Sequence, residues 1–402
     1  MKILVINSGS SSIKYQLFEM DNGAVLTTGL VDRIGQPTGR INHKAFVGPE
    51  PKEITQELAI KDHRQGLACV AELLMDEQMG VIQSPNEIAA IGHRVVHGGE
   101  TFSQPTIIDE TVAAKIKELF SLAPLHNPPN LEGIQVATEI FSQAVQVAIF
   151  DTAFHQSMPP AAYRYAIPEH LYQEHAIRAY GFHGTSHLYV TRTAAGYLGK
   201  SVDEIDLITA HLGNGCSITA IRGGQSIDTS MGFSPLAGLV MGTRSGDLDP
   251  AVIYYLGARL NLSFEEINKV LNKESGLLGL TGQSDVRDIQ ERQAAGDPAA
   301  QLALDIYTYR IKKYIGAYLA VLGRVDAIVF TAGVGENSSY IRQHSCQGLE
   351  NLGIILDPQK NEARSKIIRE IQADYSPVKV LVIPTNEELE IAQQTLAVIE
   401  KR

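Results

Sequence analysis

The chain has 402 residues, 44% hydrophobic and 20% charged, with a formal net charge of −11 at pH 7. This composition is typical of a globular protein large enough for two domains, and the negative charge excludes a general nucleic-acid binder, whose affinity depends on neutralising phosphates. No apolar run approaches the roughly 18–20 residues that span a bilayer, the start is too short in apolar residues for a secretion signal, and three widely separated cysteines exclude a disulfide framework, so we expect a cytoplasmic protein.

Residues 2–31 are predicted to form three short strands, of which the segment 13–18 alternates like a half-buried strand. The turn between the first two strands, 7–12, is rich in serine. Its composition alone favours a flexible loop. Strands at both ends would instead hold its amides and hydroxyl groups at one place, beside Lys14, as a phosphate site. No Walker A sequence occurs in the chain.

The next elements place charged side chains near strand ends. A helix is predicted at 62–80, and Ile88–Val96 is predicted to be a buried strand. Arg94 lies near its carboxyl end, where open α/β sheets present groups to ligands, although in isolation the position favours a surface arginine. Asp151 follows another predicted strand, 145–150, and is a candidate base, metal neighbour or helix cap.

Two further segments contribute histidines. Three prolines predict that 122–130, which contains His126, is a rigid loop leading into a helix near 131–141. The segment 180–187 leads into a helix at 188–198, and two of its histidines have the spacing of a zinc pair. A glycine stands where a metalloprotease carries glutamate, so a histidine and backbone amides at a helix N-terminus favour an anion instead.

The stretch 207–230 repeats the design of 2–31, with strands joined by small polar turns. Its turn, His211–Gly215, has an asparagine between two glycines, and its amide N–H groups form a concavity that suits phosphate oxygens. Farther along, Arg244 lies in a loop of small residues that would leave its guanidinium exposed. The weak internal repeat indicates two related domains.

The remainder of the chain alternates helices and strands. Helices are predicted at 250–260, 263–272, 299–322 and 389–401, and strands at 327–330 and 378–383. Residues 282–288 are predicted to be a loop, and 331–337 a third glycine turn that opens a helix at Ser338. Glu387 lies in the predicted cap of the final helix, which we expect to pack on the first domain.

Strand ends thus present three small-residue turns, two arginines, and several histidines and carboxylates. Transfer of a phosphoryl group to an anionic acceptor needs such a set, because it depends on alignment, charge cancellation and exclusion of water rather than on covalent help. Arginine suits a carboxylate because its planar fork binds both oxygens.

On its motifs, the chain resembles the acetokinase family, within the actin/Hsp70/sugar-kinase superfamily, from end to end. In family order the motifs are NSGSSSIK (7–14), GHRVVHGG (92–99), PLHNPPN (124–130), FDTAFH (150–155), YGFHGTSH (180–187), HLGNG (211–215), MGTRSGDLDP (241–250), TAGVGEN (331–337) and PTNEEL (384–389). No matched functional position departs from the family pattern. The resemblance implies reversible, Mg²⁺-dependent transfer of the ATP γ-phosphoryl directly to acetate, giving acetyl phosphate and ADP, in acetyl-CoA biosynthesis.

The resemblance also implies roles for individual residues. The catalytic residues would be Arg94, His126, Asp151, His183, Asn214 and Arg244. The acetate pocket would comprise Arg94, Val96, Leu125, Phe182 and Pro235. ATP would bind Ser10, Ser12, Lys14, His211, Leu212, Gly213, Asn214, Gly215, Asp285, Val286, Arg287, Gly333, Val334, Gly335, Glu336 and Asn337. Asn7 and Glu387 would hold Mg²⁺, with Mn²⁺ as a substitute.

Within that set, Arg94 would bind the acyl carboxylate, and Asp151 would act either as an acid/base or as an orienting group. Arg244 and His183 would stabilise the phosphoryl group in the transition state. Val96 is branched and would crowd a longer acyl chain, which favours acetate over propionate. Two alternatives stay open: a propionate or butyrate kinase of the same family, and an ATP-dependent binding protein of the actin/Hsp70 type, which would have no use for Arg94 beside a small apolar pocket.

The family fold implies an α/β protein with two ribonuclease-H-like domains, mixed sheets flanked by helices, and a cleft between them. The N-terminal acetokinase domain would comprise 1–151 and 386–402, and the nucleotide-binding domain 152–385. The expected partners are acetate, ATP and a second copy in a homodimer, with no nucleic acid or membrane.

Overall fold

The computed structural model describes residues 1–401. The chain divides into two compact units, one formed by Met1–Ala153 with the chain from Asn386 onward, the other by Phe154–Thr385. The assignment of 1–151 with 386–402 to an N-terminal acetokinase domain, and of 152–385 to a nucleotide-binding domain, stays a proposal. Within residues 1–401, no helix is long and apolar enough to cross a membrane.

The first unit contains an eight-stranded mixed sheet. Its strands are β1 (Lys2–Ser8), β2 (Ser12–Glu19), β3 (Ala24–Asp32), β4 (Gly39–Ala45), β5 (Lys52–Leu58), β6 (Ile88–Val95), β7 (Thr106–Ile107) and β8 (Val145–Phe150). Their order is β5-β4-β3-β2-β1-β6-β8-β7. Strand β6 is parallel to β1 and β8, whereas β1, β2 and β3 form an antiparallel meander.

Helices cover this sheet. The first three are α1 (His63–Leu74), α2 (Glu110–Glu118) and α3 (Asn127–Ile140). Leu67 of α1 and Val136 of α3 belong to one buried cluster with Leu4 and Ile6 of β1. Because side chains alternate along a strand, Ile3 and Val5 point to the opposite face and pack in a separate cluster.

The second unit contains a six-stranded mixed sheet and most of the helices. Its elements are α4 (Pro160–Tyr163), α5 (Glu169–His175), α6 (Gly184–Tyr197), β9 (Leu207–Leu212), β10 (Cys216–Arg222), β11 (Gln225–Thr229), α7 (Ala251–Leu260), α8 (Phe264–Lys273), α9 (Gly276–Thr281), α10 (Val286–Ala294), α11 (Pro298–Leu322), β12 (Ala327–Thr331), α12 (Ala332–Asn337), α13 (Ser339–Cys346), α14 (Pro358–Glu362), β13 (Arg369–Glu370) and β14 (Lys379–Val382). The last helix, α15 (Glu387–Ile399), belongs to the first unit and packs through Ile391 on Ile3 and Val5.

The predicted repeat is confirmed. The second sheet has the order β11-β10-β9-β12-β14-β13, with β12 parallel to β9 and β14. Strands β11-β10-β9-β12-β14 therefore repeat the arrangement of β3-β2-β1-β6-β8, with an antiparallel meander followed by two parallel strands. The predicted α/β class, with two mixed sheets flanked by helices, is also confirmed.

Several predicted boundaries are wrong. The loop at 122–130 is helical from Asn127, because Pro128 and Pro129 occupy the first turn, where a missing N–H costs nothing. The loop at 282–288 is helical from Val286, since the Asp285 side chain accepts a hydrogen bond from Arg287 N and caps α10. Helix α1 ends at Leu74 rather than at residue 80, and α15 begins at Glu387 rather than at residue 389.

The glycine turn predicted at 331–337 is also wrong in part, because 332–337 form the short helix α12. Its last carbonyl groups are bound by the buried guanidinium of Arg342, which donates to Gly335 O at 2.8 Å and to Glu336 O at 3.0 Å. A contact from a later helix thus stabilises a helix that its glycines disfavour.

Candidate active site

In the first unit, the serine-rich turn is held in place, as the sequence predicted. Gly9 N donates to Ser12 O at 2.8 Å, and Ile34 N donates to Ser11 O at 2.9 Å. The ring Nε2 of His63 donates to Gly9 O at 2.7 Å. Asn7 on β1 and Lys14 on β2 are cross-strand partners on either side of this turn, so both side chains lie on one face of the sheet.

Arg94, which is half-buried, and Asp151, which is buried, form an ion pair at neighbouring strand ends. Arg94 lies on β6, and Asp151 follows β8, the parallel neighbour of β6. Arg94 Nε donates to both carboxylate oxygens of Asp151, at 3.1 and 3.0 Å, and Nη2 donates to Oδ2 at 2.5 Å. Asp151 is 1% exposed, and its backbone N donates to Val95 O. Burial disfavours the charged form of Arg94, but Asp151 and Glu387 outweigh burial and raise the Arg94 pKa.

A group of carboxylates surrounds that pair. Glu387 and Glu388 begin α15, and Glu388 forms an ion pair with Lys14. Burial raises the pKa of Glu387; Arg94 and Lys14 oppose this effect, and Asp151 and Glu388 add to it. Three carboxylates here interact with two cations, which leaves an excess of negative charge.

This donor set fits Mg²⁺. The amide oxygen of Asn7 and the carboxylate of Glu387 are hard oxygen ligands, which Mg²⁺ prefers, and the excess negative charge favours a cation. In the described part of the chain, no group of three or more His, Cys, Asp or Glu side chains could hold a metal. Few protein ligands are typical of Mg²⁺, which keeps several waters and binds substrate phosphates.

The predicted pocket residues of the first unit differ in exposure. Val96 is 8% exposed, whereas Leu125 is 58% exposed. His126 immediately precedes α3.

Two buried asparagines of the same motif were missed by the sequence prediction. Asn130 accepts from Val96 N at 3.1 Å and donates to Ser8 O at 2.6 Å, so it ties the ends of β6 and β1 together. Asn127 exchanges two hydrogen bonds with the backbone of His97. The sequence offered one signal for them: both lie in the motif PLHNPPN, in a segment that forms a helix, although asparagine is not a favoured helix residue.

In the second unit, the predicted turn His211–Gly215 joins β9 to β10. Gly213 N donates to Gly215 O at 3.1 Å, and Asn214 is exposed at the tip. Gly242 N donates to Asn214 O, and a Cβ on Gly242 would lie 2.2 Å from Asn214 Oδ1. A side chain at 242 would therefore displace the tip of the turn.

Arg244 and His183 lie beside this turn. A Cβ built on Gly215 would lie 3.4 Å from His183 Nε2 and 3.5 Å from Arg244 Nη1. Arg244 Nη1 donates to Pro235 O at 3.0 Å, which connects it to another predicted pocket residue. Burial lowers the Arg244 pKa, with Cys216 as a weaker opposing influence. Across residues 1–401, Arg244 has no ion pair, so it can receive the charge of a ligand anion.

His183 has a left-handed backbone (φ 58°) immediately before α6. Its ring stacks on that of His211, with centroids 4.2 Å apart, and its Nδ1 is 2.8 Å from Ser217 Oγ. The preceding residue, Phe182, is 3% exposed and accepts from His155 Nε2 at its carbonyl. A strained conformation for a non-glycine residue is often found at functional positions.

Helices α10 and α12, which carry predicted nucleotide residues, are connected to each other. Gln290 of α10 donates to Ser338 Oγ, at the end of α12, at 3.0 Å. Asp285 and Arg287 form an exposed ion pair at the start of α10. Glu336 Oε1 accepts from Thr385 N at 3.1 Å.

Arg342 was missed by the sequence prediction, although it is among the largest fully buried side chains. Besides its two bonds to α12, it donates to the side chain and backbone of Asn361. Burial, assisted by Arg369, lowers its pKa to about 10. No local pattern distinguishes this arginine from exposed ones, because its partners are carbonyl groups brought close only by folding.

The predicted site residues thus form two groups. Within the first unit, Arg94, Asp151, Glu387 and Lys14 interact with one another. Within the second unit, His183, His211, Arg244 and the turn 211–215 converge.

A family model, curated relatives and solved structures all relate the chain to the acetokinase family. Residues 2–393 match the model of the acetokinase family. The chain is 53% identical over 401 residues to an acetate kinase of Nitratidesulfovibrio vulgaris, with 100% of each chain covered. The crystal structure of Porphyromonas gingivalis acetate kinase superposes with a TM-score of 0.94 at 44% identity, covering 99% of each chain. A propionate kinase from Francisella tularensis subsp. tularensis gives 0.92 at 43% identity, covering 98% of this chain and 99% of that one.

Proposed function

The chain belongs to the acetokinase family, and from this premise we propose that it transfers the γ-phosphoryl group of ATP reversibly and directly to acetate, giving acetyl phosphate and ADP. The observation that carries the proposal is the guanidinium of Arg94, held by buried Asp151 at a strand end beside buried Val96. A small carboxylic acid needs a cation for its charge and an apolar wall for its methyl group, and these residues supply both.

Arg94 would bind the acetate carboxylate. A guanidinium has five N–H donors, and the bonds to Asp151 use those on Nε and Nη2. The donors on Nη1 stay available for the substrate. Asp151 acts as the orienting group, because acetate is already ionised at neutral pH and has no proton to give up.

The transferring phosphoryl group would be stabilised mainly by Arg244 and His183, with Asn214 and His126 as further donors. Arg244 suits this role because it is half-buried and has no carboxylate partner in the described chain, so a phosphoryl oxygen would supply its missing counter-charge. Donors fixed in a site of low polarity stabilise developing charge more strongly than they would in water.

ATP would bind through three segments whose backbone groups are held from behind. These segments are 211–215, 285–287 and 333–337, and Ser10, Ser12 and Lys14 would add contacts to the phosphates. Arg342 supports this assignment, since it anchors the last carbonyls of α12. Asn7 and Glu387 would hold Mg²⁺, or Mn²⁺, partly through water, and the ion would neutralise phosphate charge when bound.

Propionate is the second candidate substrate, because a propionate kinase is among the similar structures. We favour acetate because Val96 is both branched and buried. One methylene changes discrimination by only about 1–3 kcal/mol, so overlap between the two acids is expected. Equal kcat/KM for acetate and propionate would contradict the preference, and Val96→Ala should shift it toward propionate.

The proposal is tested by hydroxamate formation from acetate, Mg-ATP and hydroxylamine, which traps acetyl phosphate. Arg94→Ala should raise the acetate KM by at least about 30-fold, because truncating one partner of a buried charge pair costs about 2–5 kcal/mol. Arg64→Ala is the matched control, since Arg64 forms an exposed pair with Glu139 in the same unit. Slow ATP hydrolysis that is insensitive to acetate would instead favour the ATP-dependent binding protein.

A second copy of the chain is the partner that we propose, in a cytoplasmic homodimer that serves acetyl-CoA biosynthesis. No residue of α7 is buried, yet the helix carries Tyr254 and Tyr255, which are 75% and 61% exposed, and Phe264 at the start of α8 is 87% exposed. Exposed apolar patches of this kind mark interaction surfaces. Light scattering should give a dimer for the wild type and a monomer for Tyr254→Lys. Tyr375→Lys, at a tyrosine 77% exposed elsewhere, should leave the dimer intact.

A further inference from the structure

The face of β9 and β10 that packs on α6 is polar although it is buried. Because β9 and β10 pair with Thr209 opposite Thr219 and His211 opposite Ser217, these four side chains share one face. Thr209, Ser217 and Thr219 are all 0% exposed. Buried polar groups need hydrogen-bond partners within the protein, so the partners of each group limit where its proton can lie.

A continuous chain of hydrogen bonds connects this face to His183. Thr209 Oγ1 lies 2.7 Å from His187 Nδ1, and His187 Nε2 lies 2.8 Å from Ser217 Oγ. Ser217 Oγ lies 2.8 Å from Nδ1 of His183. His187, on the first turns of α6, therefore bridges a threonine and a serine, and the serine bridges two histidines.

Two polarities of this chain are conceivable, because Ser217 has one hydroxyl proton for two ring nitrogens. In the first, Thr209 donates to His187 Nδ1, His187 Nε2–H donates to Ser217, and Ser217 donates to His183 Nδ1. In the second, every bond is reversed. His183 then carries its proton on Nδ1 in the neutral ring, and Nε2 presents a lone pair.

The two polarities differ in whether the hydroxyl proton of Thr209 has an acceptor. Throughout residues 1–401, its hydroxyl has no hydrogen-bond partner other than His187. In the reversed polarity His187 would donate to Thr209, whose own O–H would be left as a buried donor without an acceptor. An unsatisfied buried donor is costly, whereas a hydroxyl oxygen with an unused lone pair is common.

The charge state of His187 fits both polarities, so the choice between them depends on Thr209. Burial, with His155 and His211 as further contributions, lowers the His187 pKa well below its usual value. The neutral ring has one N–H, which both polarities require, so the charge state excludes only a ring that donates to Thr209 and Ser217 at the same time. A protonated ring would have to donate to Thr209 as well.

We propose that Thr209, His187 and Ser217 are positioning residues that keep the proton of neutral His183 on Nε2, the nitrogen beside Gly215. This inference rests on the proposed function, in which His183 stabilises the transferring phosphoryl group. An Nε2–H donates to a phosphoryl oxygen, whereas an Nε2 lone pair repels it. The tautomer therefore decides whether His183 assists the transfer or opposes it.

The direct test is the ¹⁵N spectrum of ¹⁵N-histidine-labelled full-length protein, because a ring nitrogen with a proton and one without have well-separated shifts. His183→Gln identifies the signals of His183 among the 12 histidines. We expect His183 to carry its proton on Nε2 in the wild type. A neutral His183 with its proton on Nδ1 overturns the inference, and it does so independently of whether the protein makes acetyl phosphate.

Variants at Thr209 test the direction of the chain. Thr209→Val removes the donor, so we expect a mixture of His183 tautomers and a kcat lower by about two- to fivefold, with unchanged KM for ATP and acetate. Thr209→Ser keeps the hydroxyl and should restore wild-type behaviour. Thr219→Val is the matched control, because Thr219 is equally buried, lies opposite Thr209 and bonds Thr229 instead of a histidine.

A polarity-reversing variant gives the largest expected effect. Thr209→Asp supplies an acceptor without a donor, so each bond should reverse, His183 should carry its proton on Nδ1, and kcat should fall by at least about tenfold. Thr219→Asp controls for the burial of a carboxylate. If Thr209→Asp fails to fold, the wild-type spectrum and the Thr209→Val variant still decide which nitrogen of His183 carries the proton. Equal kcat and equal tautomer populations in Thr209→Val and Thr219→Val would refute the proposal.

Discussion

The meanders β1–β3 and β9–β11 have the same topology but bury different chemistry. The face of β1–β2 that packs on α1 and α3 carries Leu4, Ile6 and Leu17, all buried in one apolar cluster. The face of β9–β10 that packs on α6 carries Thr209 and Ser217, which both form hydrogen bonds with His187 of α6. Apolar packing on this face occurs at the end of the strands away from the turn 211–215, where Leu207 and Ile221 are paired.

The difference indicates a division between stability and chemistry. An apolar face contributes free energy in proportion to the area it buries, and many side chains of suitable volume serve it. A polar buried face contributes less, since its hydrogen bonds replace bonds to water, but it orients each group in one way. Substitutions in the first meander should therefore affect mainly stability, and those in the second mainly activity.

The largest effect is expected beside the turn of the second meander. Arg244→Ala should lower kcat by about 10²–10³-fold with little change in stability, because its guanidinium is proposed to act on the phosphoryl group during transfer. Arg222→Ala is the control, since Arg222 ends β10 and donates to backbone carbonyl groups at the end of α11. Steady-state kinetics measure the difference. Equal kcat values would remove Arg244 from the mechanism.

The first meander should show the opposite response. Leu17→Ala should lower the free energy of unfolding by about 2–5 kcal/mol, because the buried side chain leaves a cavity in a close-packed cluster. Its kcat per folded molecule should stay within twofold of the wild type. Denaturant unfolding and active-site titration provide the two values. A large loss of kcat without a loss of stability would contradict the division proposed above.

The cation beside the turn of the first meander, Lys14 on β2, is exposed rather than half-buried, so its loss should matter less. Lys14→Ala should raise the KM for ATP by about tenfold, which corresponds to about 1.4 kcal/mol for one phosphate contact. Stability should hardly change, because the Lys14–Glu388 pair is exposed on the lysine side. Lys44→Ala removes another lysine of the same sheet, half-buried and paired with Glu53, and should leave the KM for ATP unchanged.

The smallest effect concerns pH. Each meander packs against a buried histidine with a lowered pKa, His43 in the first unit and His187 in the second, chiefly because of burial. A lowered folded-state pKa means that the unfolded chain binds more protons, so stability is fully present above about pH 6.5 and is lost as the pH falls. His187→Gln should reduce this slope by up to about 1.4 kcal/mol per pH unit.

His43→Gln should reduce the slope less. Asp76 favours the charged form of His43, whereas His155 and His211 disfavour that of His187. Unfolding measured at several pH values between about 5 and 7 compares the two variants. A larger change for His43→Gln would show that the second meander does not hold the more strongly neutral histidine.

Much of the fold was predictable from local patterns. Apolar runs and polar turns located both meanders and the paired strands β12 and β14, because alternation and turn chemistry are local properties. Predictions failed where a distant group decides the conformation. Helix α12 forms from a glycine-rich segment because Arg342 binds its carbonyls.

The candidate site divides in the same way. The motifs identified Arg94, Asp151, His183 and Arg244, and each has the buried or half-buried environment that its proposed role needs. The motifs did not identify Asn130, whose amide joins two strand ends. Such positioning groups are ordinary residues in the sequence, and their partners lie far away along the chain.

The sequence by itself determined the family, the repeated pattern of three strands joined by polar turns, and the identity of the charged groups, because these depend on residue types and their local spacing. Only the tertiary structure decided what holds those groups: the ion pair between β6 and β8, the anchoring of α12, and the chain of hydrogen bonds from Thr209 through His187 and Ser217 to His183. The physical reason is that a buried polar group takes its charge state and proton position from its neighbours, and folding selects those neighbours.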